Sequence, residues 1–94
     1  MDGHSQVVRR SFTIANKLGL HARAAAKIVQ ITNKFHSRIR LLKNGQEADA
    51  KSILGILTLA CPQGTLIEVH AEGEDAAEAV KAMAILIEDN FGED

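Results

Sequence analysis

The spacing of apolar residues switches repeatedly between a period of two and a helical period along this chain, and the switches divide it into seven elements. Val7 to Ile14 predicts a first strand with Val8, Phe12 and Ile14 on one side, although Arg10 falls on that side too and breaks the alternation. Ala15 to Gly19 predicts a loop. From His21 the period lengthens: Ala25, Ile28, Val29 and Thr32 recur at helical spacing, while Arg23, Lys27, Gln30 and Lys34 line the opposite side, so a helix with a basic outer face is expected. Ser37 to Leu42 alternates again, Asn44-Gly45 is a favoured pair for a tight hairpin turn, and Glu47 to Ala50 returns as a short strand.

Ser52 is placed to cap a second helix, in which Ile53, Ile56, Leu57 and Ala60 are spaced for packing before Pro62 and Gly64 end it. This helix is unusually apolar, and Ile53 and Leu54 in its first turn are the residues a core covers least easily, so a partner surface is expected there. Thr65 to Ala71 predicts a last strand with Ile67 and Val69 inward and Glu68 and His70 outward, and Gly73 turns the chain. Asp75 and Glu78 resemble a capping box opening a final helix with an inward stripe of Ala76, Ala79, Val80, Met83 and Ile87. Asn90 to Asp94 is expected to fray.

The order β-α-β-β-α-β-α implies an α+β fold, an antiparallel four-stranded sheet with three helices covering one face. The pattern leaves strand order open, since ferredoxin-like folds share the first six elements.

Composition narrows this to one small domain. The chain has 94 residues, 46% of them apolar and 24% charged, enough for a single core and too few for two. No apolar run approaches the roughly twenty residues that span a bilayer, and Met1 to Gln6 is short and polar, unlike a signal peptide, so a cytoplasmic protein without membrane contact is expected. Cys61 has no second cysteine to pair with, and burial as a small hydrophobe is its expected role. The net charge of −1 hides an asymmetry: residues 3 to 46 hold nine Lys or Arg and no Asp or Glu. A basic face in the early half can attract a phosphorylated donor, an acidic protein surface or nucleic acid.

Chemistry concentrates at Gly19-Leu20-His21-Ala22-Arg23, where a helix is expected to begin. The first backbone N–H groups of a helix lack intrahelical partners and, with the helix dipole, favour anions. A neutral imidazole there is a competent nucleophile toward phosphorus, and Arg23 can hold phosphoryl oxygens. Taken alone, a surface histidine that merely caps the helix is the favoured account of His21. His4, His36 and His70 have no spacing of a zinc site, no glycine-rich nucleotide loop occurs, and no metal or cofactor is expected.

Three blocks taken together resemble the HPr family, the small histidine phosphocarriers of the bacterial phosphoenolpyruvate-dependent phosphotransferase system. They are Leu18 to Arg23, Ala50 to Leu57, and Gln63-Gly64-Thr65 continuing through Ala71 to Asp75; the similarity covers about residues 7 to 89 and leaves 1–6 and 90–94 as tails. The resemblance implies an open-faced β-sandwich of strand order 1-4-2-3. It implies that His21 takes a phosphoryl group on Nδ1 from phosphorylated enzyme I and passes it to EIIA-type proteins, with Arg23 beside it. The protein would then be a monomeric carrier rather than an enzyme with its own turnover. Ser52 matches a serine that a dedicated HPr kinase/phosphorylase modifies in many members, and a phosphate there would put negative charge beside the docking face. Ile53, Leu54 and Leu57 are candidates for the apolar centre of that face, ringed by Arg23, Lys27 and Lys51, with Leu54 expected at the interface and Leu57 expected in the core.

One position departs from the family pattern. Proline usually follows the arginine, and here Ala24 keeps the N–H and the backbone freedom that proline would remove. The Asn16 to Gly19 stretch and the Asn90 to Asp94 ending look like the nitrogen-related regulatory carrier, while the Ser52 region looks like ordinary HPr of sugar uptake. Outside the family, a nucleic-acid-binding module would use the basic half, but three Phe and no Tyr or Trp offer little for base stacking. A regulatory binding protein whose His21 is never phosphorylated is a third reading.

Overall fold

The computed structural model describes residues 6–93. The elements are β1 (Gln6–Thr13), α1 (Ala22–Thr32), β2 (Arg38–Lys43), β3 (Gln46–Asp49), α2 (Ile53–Thr58), β4 (Leu66–Gly73) and α3 (Ala76–Glu88), followed by a 3-10 turn at Asn90–Gly92. All strand pairs are antiparallel and the order is β1-β4-β2-β3, the arrangement implied by the family resemblance.

Alternation explains how the sheet acquires one covered face. Phe12, Ile39, Leu41, Ala48, Ile67, Val69 and Ala71 point into the core, where they meet Ala24, Ala25, Ile28, Ile56 and the α3 stripe of Ala76, Ala79, Val80, Met83, Ala84 and Ile87. The other face carries polar rows such as Arg9, His70, Arg40 and Asp49, aligned across all four strands. Arg10 sits on the core-side register yet remains exposed, because β1 is an edge strand: its guanidinium lies 5.0 Å above the Phe12 ring and reaches Glu88 at 3.1 Å. Asn44 and Gly45 both take positive φ (49° and 82°), the conformation a two-residue hairpin turn requires. Cys61 is buried, and burial raises its thiol pKa.

Three expectations are corrected. The inward residues here are Ile56 within α2 and Leu59 just past its end, whereas Ile53 and Leu57 are 41% and 36% exposed and Ala60 is exposed as well. The helix stops at Thr58, and Ala60 turns the chain at φ 54°, so the helical spacing in the sequence outlasts the helix. Lys43 secures that stop, its ammonium donating to the Leu59 and Ala60 carbonyls at 3.0 and 2.6 Å. Asp75 stands at the N-cap of α3 but makes no capping bond. Its carboxylate instead accepts from the His36 and Ser37 N–H groups (2.8 and 2.9 Å) and from the Ser37 hydroxyl, tying the start of α3 to the start of β2. Finally, Asn90 to Glu93 does not fray: Phe91 is only 1% exposed, packed at the end of the core with φ 58°. His4 and Asp94 lie outside the described residues.

Candidate functional site

The approach to α1 is built on a glycine that nothing else can replace. Gly19 has φ 64°, and a Cβ there would sit 2.3 Å from the Cys61 carbonyl oxygen and 2.8 Å from the Pro62 Cα. That close approach lets the Leu20 N–H donate to the Cys61 carbonyl at 2.9 Å, and the Leu20 side chain is buried. His21 follows in an extended conformation (φ −80°, ψ 178°) as the N-cap of α1. Its carbonyl accepts the Ala25 N–H at 2.9 Å, and its Nδ1 accepts the Arg23 N–H at 3.3 Å.

Capping by a ring nitrogen has a chemical consequence. A nitrogen that accepts a hydrogen bond carries its lone pair, so the proton of neutral His21 resides on Nε2. Nε2 bonds the Glu93 carboxylate, which the Asn16 amide also holds at 3.0 Å while donating to the Gly19 carbonyl at 2.9 Å. The Lys27 ammonium donates to the Phe91 carbonyl and fixes the turn that carries Glu93. These contacts lower the Glu93 pKa: the His21 hydrogen bond acts first, then the Asn16 hydrogen bond, with the charge of a protonated His21 and that of Lys27 adding to them.

Arg23 is exposed, and its guanidinium has no hydrogen-bonding or ionic partner among the described residues, so it can turn toward an anion held at the helix start. Ala24 is fully buried, its methyl group filling the core directly beneath the first turn. The side chain that replaces the usual family proline thus completes the packing of α1 and leaves one more N–H at its start.

A second group of sequence candidates lies on α2, which packs against α1. Ser52 caps it, its hydroxyl accepting the Gly55 N–H at 3.0 Å. Ile53, Leu54 and Leu57 are 41%, 73% and 36% exposed and form an outward apolar strip. The Lys51 ammonium donates to the Phe35 carbonyl at 2.8 Å, beyond the end of α1. Thus His21 and Arg23 lie at the start of α1 with Lys27 a turn further on, and Lys51 and Ser52 lead into α2, which carries Ile53, Leu54 and Leu57. Asn16, Phe91 and Glu93 belong to the first group and were missed. A large aromatic beside Asn and Gly in an otherwise polar ending was the available signal, since Asn and Gly tolerate the left-handed turn that buries the ring.

Among the described residues no group of three or more His, Cys, Asp or Glu could hold a metal ion, and no helix is long and apolar enough to cross a membrane. His70 pairs with Glu68 at 3.0 Å on the open face of the sheet, and the His36 N–H is bound by Asp75.

The fold defines a four-stranded open-faced β-sandwich with a histidine capping its first helix. A family profile described as the PTS HPr component phosphorylation site matches residues 8–89. Phosphocarrier protein HPr of Xylella fastidiosa (strain Temecula1) is 48% identical over 88 residues, covering 94% of this chain and 99% of that protein. Phosphocarrier protein NPr of Shewanella violacea is 38% identical over 86 residues, covering 92% and 94%. Among solved structures, HPr-C-His from Thermoanaerobacter tengcongensis superposes with a TM-score of 0.90 at 46% identity, covering 93% of this chain and 98% of that one. The chain belongs to the HPr family of phosphocarrier proteins of the phosphotransferase system.

Proposed function

We propose that His21 is the phosphorylated residue of this carrier, accepting a phosphoryl group on Nδ1 from phosphorylated enzyme I and passing it to EIIA-type proteins. The observation that carries the reading is the state of Nδ1: it holds a lone pair at the N-terminus of α1, beside the first-turn N–H groups and an Arg23 guanidinium without a partner among the described residues. Once phosphorylated, that nitrogen places new negative charge where the helix start and Arg23 offset it. The protein acts as a single-domain monomeric carrier in the cytoplasm, shuttling the group between larger partners.

Docking follows from the same face. Leu54, with Ile53 and Leu57, supplies exposed apolar area, and Arg23, Lys27 and Lys51 supply positive charge suited to acidic partner surfaces. Phosphorylation of Ser52 by an HPr kinase/phosphorylase would put a phosphate at the N-terminus of α2, which tolerates it locally, and place a dianion beside that strip, weakening docking of acidic partners. The nitrogen-branch alternative rests on the likeness to an NPr from Shewanella violacea, which at 38% identity is lower than the 48% shared with the HPr of Xylella fastidiosa. Comparing transfer rates from enzyme I of the two branches separates them.

The test is direct. Incubation with phosphoenolpyruvate and enzyme I should give an acid-labile, alkali-stable phosphate that is absent from His21→Ala. Wild-type protein that stays unlabelled, while an established carrier in the same mixture is labelled, overturns the proposal.

A further inference from the structure

The C-terminal turn does more than close the core. Phe91 is buried, the Lys27 ammonium grips its carbonyl, and Glu93 is thereby delivered to the edge of the His21 ring opposite the nitrogen that caps the helix. The carboxylate is itself fixed by Asn16, which is 2% exposed and bonded to the Gly19 carbonyl of the same loop. The imidazole is therefore held at both nitrogens: Nδ1 by the Arg23 N–H and Nε2 by Glu93. Only 24% of the His21 side chain and 15% of the Glu93 side chain are exposed, so this pair works partly sheltered from water, where a carboxylate acts more strongly on its neighbour.

We propose that Glu93 is a positioning residue for phosphoryl transfer, holding the proton on Nε2, orienting the ring so that the Nδ1 lone pair meets the donor, and balancing the charge that the ring acquires. The inference rests on the phosphocarrier reading above. In the transfer, Nδ1 gives up the Arg23 N–H, and its freed lone pair forms a bond to phosphorus as the bond between phosphorus and its donor atom on enzyme I breaks. The electron pair of the broken bond stays on that donor atom. The proton on Nε2 stays in place, the phosphorylated ring becomes cationic, and the Glu93 carboxylate it already touches offsets that charge. In the onward step to an acceptor the same bond breaks, the pair returns to Nδ1, and the ring is again neutral with its proton on Nε2. The charged side chains of the first turns of α1, Arg23 and Lys27, are both cationic, and Glu93 is the one anion among the described residues bonded to the ring.

Two variants of the full chain test this, Glu93→Ala and Glu93→Gln; both retain Phe91, and the glutamine keeps a hydrogen-bond acceptor without the charge. Nitrogen-resolved NMR of unphosphorylated wild type should show a slowly exchanging, strongly deshielded Nε2 proton on His21, lost in Glu93→Ala. Rapid-quench transfer from phosphorylated enzyme I should slow on the order of tenfold in Glu93→Ala and less in Glu93→Gln. A wild-type rate in Glu93→Ala, or an Nε2 proton signal unchanged by it, overturns the proposal. If wild type is labelled at His21 and the variants match it, this inference fails alone. If wild type is not labelled at His21, the phosphocarrier reading fails and takes this inference with it.

Discussion

Two helices of this fold begin on a side chain that accepts a backbone N–H, and they differ in what else that side chain touches. Ser52 opens α2 with a hydroxyl that accepts the Gly55 N–H, and around it the helix turns apolar residues outward. His21 opens α1 with one ring nitrogen and spends the other on Glu93, with the exposed Arg23 two residues on and the helix packed inward through Ala24, Ala25 and Ile28. Capping alone stabilises a helix; capping by a two-nitrogen ring whose second nitrogen is tethered also sets a nucleophile's protonation state and direction. On the proposed reading, the start of α2 presents a surface to partners and the start of α1 a group that reacts.

The comparison breaks most severely at Gly19. Gly19→Ala must relieve both a positive φ and a collision with the Cys61 carbonyl, and we expect a loss of about 3 kcal/mol in denaturant unfolding. Because the displaced loop carries Leu20 and His21, transfer activity should fall more than the residual folded fraction explains, while the α2 start is left intact.

At α2 the effects should divide between stability and binding. Leu54→Ala should change stability by less than about 0.5 kcal/mol but weaken association with enzyme I about tenfold, measured by calorimetry. Ser52→Ala should do the reverse, costing about 1 kcal/mol of stability while leaving phosphorylation of His21 intact. Equal effects of the two substitutions on association would erase the distinction between cap and contact.

Much of this was legible in the sequence, for identifiable reasons. Strand alternation placed Ile39, Leu41, Ile67 and Val69 inward, and the Ser52 cap and the Asn44-Gly45 turn depend on contacts a few residues long. What escaped was set by distant partners. Ala60 reads as a packing residue because the helical spacing continues past the point where Lys43, from β2, secures the end of the helix, and Leu57, within the helix, shares the outward face of Ile53 four residues before it. Asp75 has the identity of a cap, but the Ser37 and His36 groups that claim it lie some forty residues away in sequence, beyond any local pattern. Glu93 sits in a polar ending whose role depends on Phe91 finding the core.

α3 provides the mildest test, as a helix whose cap residue has been drawn elsewhere. The Ser37 hydroxyl, and after it the His36 N–H, hold the Asp75 carboxyl down to about 2 from its ordinary 3.8. A carboxylate lowered on folding contributes stability that is fully present above its unfolded value and is lost as pH falls through its folded one. The contribution of Asp75 should therefore fade between about pH 4 and pH 2. Asp75→Asn should flatten the acid limb of the stability curve in that window and leave its slope near pH 7 unchanged. An unaltered acid limb would show that the tie between β2 and α3 contributes nothing to it.

The account turns on one atom, the Nδ1 of His21. Phosphorylating 15N-labelled protein with enzyme I and phosphoenolpyruvate, and recording the coupling between phosphorus and ring nitrogen, locates the bond directly. A single phosphoryl group on His21 Nδ1, with the proton retained on Nε2, is the predicted result. Phosphorus on Nε2, on another residue, or on none would contradict it.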